Sequence, residues 1–185
     1  MRTMHPDVES ILFDEEKIAE IVRNMGRQIS EDYKGKNLLL VSVLKGSLIF
    51  MADLMREITV PCAIDFLSVS SYGSGTTTSG EVRILKDLDA SLDGKDVLVV
   101  EDILDSGVTL SYLLKNLSAR NPASIRLCTF LDKPERRRVN IKADYIGASV
   151  PDQFIVGYGL DYAELYRNLP YVGVLKPCVY SHKEE

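Results

Sequence analysis

The segment Val97-Leu98-Val99-Val100-Glu101-Asp102-Ile103-Leu104-Asp105-Ser106-Gly107-Val108-Thr109 sets two adjacent carboxylates at the end of an apolar run and follows them with an acid-Ser-Gly-x-Thr turn. If that turn opens a helix, the backbone N–H groups of Ser106 to Thr109 point outward at its start, where the helix dipole favours an anion. Ser106 and Thr109 add hydroxyl donors, and Gly107 lets the backbone come close. Such a cradle suits a phosphate monoester and uses no lysine; the G-x-x-x-x-G-K-[ST] loop of many nucleotide-binding proteins is absent. Glu101 and Asp102 would repel a phosphate, so they fit here only by holding hydroxyls or metal-bound water nearby, as on a ribose ring. A plainer reading, in which Asp105 or Ser106 merely caps a helix, explains the turn but not the carboxylate pair.

The elements that must position these groups follow from the apolar pattern. Ile18, Ile21, Val22, Met25 and Ile29 mark one face of a helix between Asp14 and Tyr33, capped by Asp14 and ended by Gly35. Leu38 to Leu44 is a nearly unbroken apolar run, as in a strand covered on both faces. Lys45-Gly46-Ser47 interrupts it, and Leu48 to Ile58 reads as a helix. Further strands are expected at Cys62 to Val69, Val82 to Leu85, Asp96 to Val100, Ile125 to Leu131, Tyr145 to Ala148, Phe154 to Val156 and Tyr171 to Leu175. Thr109 to Asn121 reads as a helix with Leu110, Leu113, Leu114 and Leu117 inward. The polar stretch 71–80 cannot bury itself and is expected to move. Alternating strands and helices predict an α/β fold, a mainly parallel twisted sheet flanked by helices. Ligands in such sheets sit beyond the carboxyl ends of the strands, which directs attention to Lys45, Ser71, Glu101, Lys133 and Gly157 onward.

The 185 residues fit one compact domain, with no internal repeat and no separating linker. With 45% hydrophobic and 26% charged residues the composition is that of a globular protein able to bury a core. No apolar run reaches the ~18 residues of a membrane span, and Met1 to Ser10 lacks a secretory apolar stretch. Cys62, Cys128 and Cys178 are far apart and read as reduced, half-buried packing residues of a cytoplasmic protein. His5 and His182 lie in the tails and read as frayed surface residues. A net charge of −5 argues against broad nucleic-acid binding.

From Leu12 to Leu175 the chain resembles the type I phosphoribosyltransferases, and among them the bacterial hypoxanthine (hypoxanthine-guanine) branch. The thirteen residues quoted above are similar to that family's signature for 5-phosphoribosyl-1-pyrophosphate. The resemblance implies a hood subdomain built from about 1–35 and 151–185 over a core of about 36–150. It implies that Glu101 and Asp102 contact the ribose hydroxyls directly or through Mg2+, that Asp105, Ser106, Gly107, Val108 and Thr109 bind the 5-phosphate, and that Asp105 lies near N7 of the purine. Lys45-Gly46 resembles the family's pyrophosphate loop, with its cis peptide; relatives often have Gly where Ser47 stands, and a plain strand-to-helix turn is the competing reading. Ser71-Tyr72-Gly73 opens a loop that closes over the site.

By the same resemblance Lys133 donates to O6 of the base, Phe154 stacks on the ring, and the main chain at Ile155 meets its 2-position. Asp161 takes a second Mg2+, and Arg167 takes pyrophosphate. Without the family, Lys133 would pass as a solvated charge in Lys133-Pro134-Glu135-Arg136-Arg137-Arg138, Phe154 as a core residue, and Asp161 and Arg167 as an exposed ion pair. The implied activity is purine salvage: hypoxanthine or guanine becomes IMP or GMP with release of pyrophosphate. Asp105 is the catalytic residue, and the assembly a homodimer or homotetramer. The competing functions are a nucleotide-sensing regulator of the same fold, disfavoured by the acidic charge, and a transferase acting on xanthine, uracil or orotate.

Overall fold

The computed structural model describes residues 3–71 and 82–181. In chain order the elements are β1 (Val8–Phe13), α1 (Glu15–Asp32), β2 (Leu38–Leu44), α2 (Leu48–Glu57), β3 (Cys62–Ser71), β4 (Val82–Lys86), β5 (Asp96–Leu104), α3 (Val108–Ser118), β6 (Ser124–Asp132), β7 (Tyr145–Ser149), β8 (Ile155–Val156), β9 (Val172–Leu175) and α4 (Pro177–Tyr180). Six strands form a sheet in the order β4-β3-β2-β5-β6-β7, parallel except for the edge strand β4. A second sheet, β1-β9-β8, is antiparallel. The α/β class and the mainly parallel sheet expected from the sequence are therefore present.

Both faces of the larger sheet are covered, which is why its central strands carry long apolar runs, Leu38–Val41 in β2 and Val97–Val100 in β5. Leu38, Leu40, Leu98, Val100 and Phe130 pack with Ile18, Met25, Ile29 and Phe50 from α1 and α2. Leu39, Val41, Val97 and Val99, alternating with them, pack with Leu110, Leu113 and Leu117 of α3. Asp14 caps α1 as predicted, Oδ1 accepting from the Lys17 amide at 2.8 Å. Asp14→Ala is expected to cost about 1 kcal/mol, read as a lower urea midpoint at unchanged slope.

Four expectations need correction. β1 was not foreseen: only Val8 of it is fully buried, so the strand leaves almost no alternation to read, and its pairing with β9 creates it. β5 runs on to Leu104 rather than ending at Val100, because β6 supplies a parallel partner as far as Leu104↔Asp132. His5 is not frayed, since its amide donates to Tyr171 Oη at 2.8 Å and its ring meets Tyr166 edge-on; His182 lies outside the described residues. The free cysteines are not uniformly half-buried, for Cys128 is buried in the core, Cys62 half-buried and Cys178 exposed.

Candidate active site

The overrun of β5 carries the carboxylate pair. Successive strand residues face opposite sides of a sheet, and the two acids accordingly line different cavities. Glu101 lines one of about 250 Å3 with Asp105, Ser106, Gly107 and Thr109. Asp102 lines another of about 500 Å3 with Lys133, Phe154, Ile155 and Asp161. Ile103 and Asp105 belong to both, so the two spaces meet at the end of β5.

On the first side, α3 starts at Val108 with Gly107 as its N-terminal cap, at φ +79° and without a side-chain capping bond. The first-turn amides have no partner inside the helix; that of Val108 donates to Ser106 Oγ at 3.4 Å, and such a helix start favours an anion. A Cβ on Gly107 would strike Ile141, and the left-handed backbone disfavours one in any case. Asp105 is half-buried; its Oδ1 lies 3.1 Å from Arg136 Nε but outside hydrogen-bond geometry, and so remains buried without a hydrogen-bond partner.

Between β2 and α2 the chain turns tightly at Gly46, where an added Cβ would overlap Asp102 Oδ2 and where the carbonyl presses against Gly159. The non-proline cis peptide is Leu44–Lys45, one bond earlier than the Lys45–Gly46 position the resemblance pointed to. Ser47 is buried and bonds to the Val43 carbonyl and Ser42 Oγ at 2.5 and 2.7 Å. Lys45 is exposed, lines neither cavity, and pairs with Glu164 at 2.6 Å. Arg167 donates to the Gly159 carbonyl and pairs with Asp161, both at 2.8 Å, while its Nε is buried without a partner.

On the second side Lys133 is 6% exposed, not the solvated charge its neighbours in sequence would imply. It donates to the Gln153 carbonyl at 2.8 Å and has Asp152 at 3.9 Å, leaving ammonium donors for the cavity. Phe154 is 39% exposed and therefore not a core residue; Tyr180 stacks on it at 5.1 Å and Tyr162 meets it edge-on at 5.2 Å. Ile155 is buried and paired with Val174. Val108 is exposed at the start of α3. Ser71 ends β3 opposite Val82, and Tyr72 with the rest of the expected closing loop lies outside the described residues.

Burial pushes Glu101 well above the usual carboxylate range, and the adjacent Asp102 adds to the effect. Burial also raises Asp102; hydrogen bonds from Glu101 and the Ile103 amide, with the Arg167 charge, partly oppose it. Two carboxylates held this way favour a ligand that brings hydroxyl donors or a cation.

Sequence reasoning missed Arg136, Arg137, Asp152, Glu164 and Tyr180. The arginines were hidden in a run of charges, where nothing local separates a solvated side chain from one folded back on the protein. A larger cavity, about 670 Å3, lies between α1, α2 and the turn 168–170. It shares none of these groups, and the Tyr158 hydroxyl within it is already committed to Asp53 at 2.8 Å.

The family model for the phosphoribosyl transferase domain matches residues 9–163. The chain belongs to the phosphoribosyl transferase family. A hypoxanthine-guanine phosphoribosyltransferase of Bacillus subtilis is 53% identical over 178 residues, 96% of this chain and 99% of that protein. The bifunctional protein TilS/HprT of Listeria monocytogenes is 54% identical over 97% of this chain, which spans only 28% of that longer protein. The crystal structure of a hypoxanthine phosphoribosyltransferase from Staphylococcus aureus superposes with a TM-score of 0.94 at 51% identity, covering 97% of this chain and 98% of that one. Within this phosphoribosyl transferase domain, the matched region includes both cavities' strand ends and the whole segment from Val97 to Thr109.

Proposed function

We propose that the chain transfers the 5-phosphoribosyl group of 5-phosphoribosyl-1-pyrophosphate to N9 of a 6-oxopurine, hypoxanthine or guanine, yielding IMP or GMP and pyrophosphate. One observation carries this reading: an anion-ready helix start and a lysine-and-phenylalanine cavity meet at Ile103 and Asp105. That is the layout of a nucleotide, phosphate at one end and base at the other.

In this reading the amides and hydroxyls of residues 105–109 hold the 5-phosphate, and Glu101 and Asp102 accept from the ribose hydroxyls. Lys133 donates to O6 and rejects a 6-amino base, which would set donor against donor. Phe154 stacks on the ring, a contact worth about 1–3 kcal/mol, and the Ile155 main chain borders the 2-position. N9 forms its bond to C1 as the bond from C1 to the pyrophosphate oxygen breaks, through an oxocarbenium-like state. Lys45, the backbone at Gly46 and Arg167, whose buried Nε lacks a partner, offset the charge growing on the leaving group. The N7 proton passes to Asp105, whose Oδ1 has no hydrogen-bond donor of its own.

The donor set suits magnesium. Among the described residues no three His, Cys, Asp or Glu side chains converge to cage a metal, whereas Mg2+ favours one or two carboxylates completed by water and substrate phosphate. Glu101 and Asp102 are the residues that would hold one such ion beside the ribose, and Asp161 a second. When bound, Mg2+ supplies positive charge to the pyrophosphate and ribose oxygens.

Free thiols fit a reducing cytoplasm, and among the described residues no helix is long and apolar enough to cross a membrane. Assembly into a dimer or tetramer rests on the family alone. The deciding experiment supplies Mg2+ and the activated sugar with hypoxanthine, guanine, xanthine, adenine and uracil in turn. IMP and GMP are the expected products; a nucleotide formed only from another base, or none from any, refutes the proposal.

A further inference from the structure

Arg137 belongs to none of the groups assigned above, yet it grips the turn that carries Asp105. Its Nη1 donates to the Leu104 carbonyl at 3.0 Å and also to the Asp105 carbonyl, while Nη2 bonds to the Asp132 carboxylate. Arg137 and Asp132 are both largely buried, their side chains 17% and 12% exposed. The surrounding backbone adds two ties: the Lys133 amide donates to the Leu104 carbonyl and the Arg138 amide to the Ser106 carbonyl, both at 3.0 Å. Side chains of the same segment wall in Gly107, with Ile141, Val139 and Arg137 Cδ nearest the space a Cβ would occupy.

The chemistry of the arginine matters here. Carbonyl oxygens of a turn before a helix need donors, and a planar guanidinium offers several at fixed angles, so that one side chain spans two carbonyls and a carboxylate. A lysine, a single point of donors on a flexible stem, cannot reproduce that fork. Pulling both carbonyls toward Arg137 fixes the peptide planes on either side of Asp105, and with them the direction in which its side chain and the next amides point. Because Lys133 follows Asp132 directly, the strand end that places the lysine in one cavity also anchors the brace of the other.

We infer that Arg137, locked by Asp132, is a positioning residue that sets the 105–109 turn for the sugar phosphate and holds it in register with the base side. The inference rests on the phosphoribosyl transfer proposed above. It is tested in the full chain by steady-state kinetics with the activated sugar, hypoxanthine and Mg2+, on wild type, Arg137→Met, Arg137→Lys and the double variant Asp132→Asn/Arg137→Met. Arg137→Met leaves Asp132 buried and unpaired, so a loss of thermal stability is expected; the double variant removes that charge and regains stability.

If Arg137 positions the turn, the double variant keeps a KM for the activated sugar raised at least ~10-fold, as does Arg137→Lys, while KM for hypoxanthine stays within about twofold; a tenfold change corresponds to about 1.4 kcal/mol. A double variant that is stable and has wild-type KM for the sugar overturns the inference, as does Arg137→Lys behaving as wild type. Failure of all variants to fold overturns it too, by assigning the network to stability. An inactive wild type would instead count against the transfer reaction itself.

Discussion

Replacing Asp105 by Asn is expected to lower kcat by ~100- to 10,000-fold, the usual worth of a general acid or base, while KM for the activated sugar changes by only a few-fold. The amide has nearly the same shape and leaves the turn's backbone unaltered, but it cannot accept a proton from N7. Arg136 pairs with the acid by charge at 3.1 Å but outside hydrogen-bond geometry, so the substitution removes a half-exposed ion pair, usually worth at most about 1 kcal/mol, and breaks no hydrogen bond of the resting protein. Single-turnover measurements with preloaded sugar separate chemistry from product release. Unchanged turnover would remove Asp105 from proton transfer and leave it a mere part of the turn.

The second large effect is expected at Lys133. Lys133→Ala should reduce kcat/KM for hypoxanthine and for guanine together, by roughly 10- to 100-fold, the range for losing a hydrogen bond from a charged donor. Adenine should remain a poor substrate, because removing a donor does not create the acceptor a 6-amino group needs. Burial makes the residue costly to lose in another way, since the Gln153 carbonyl forfeits its donor; thermal unfolding of the variant must therefore accompany the kinetics. A loss confined to one of the two purines would refute the O6 contact.

Much of this architecture could be read from the chain. The central strands announce themselves because burial on both faces demands unbroken apolar runs, and α1 because only one face is buried while Asp14 caps it. β1 could not be read, since its identity comes from the partner β9 a whole chain length away. For the same reason β5 seemed to stop at Val100, where the apolar run ends, whereas pairing with β6 continues through Glu101 to Leu104. Asp105 and Lys133 were legible as candidates through motif and resemblance, but the near absence of solvent around Lys133 was not, because its neighbours in sequence are five charged or proline residues. Arg137 was invisible altogether. Its partners are two main-chain carbonyls and a carboxylate, and backbone acceptors carry no side-chain signature that spacing could expose.

The last rung between β5 and β6, Leu104 opposite Asp132, has a consequence for what the molecule measures. Asp105 and Lys133 leave neighbouring strands at the same level, and adjacent strands are held ~4.8 Å apart by their ladder. On the proposed reading, the spacing between the turn that takes the phosphate and the lysine that takes O6 is thus set by the sheet itself, a rigid gauge rather than an adjustable clasp. A one-residue insertion in either strand would turn every later side chain to the opposite face, and the gauge would no longer read a nucleotide.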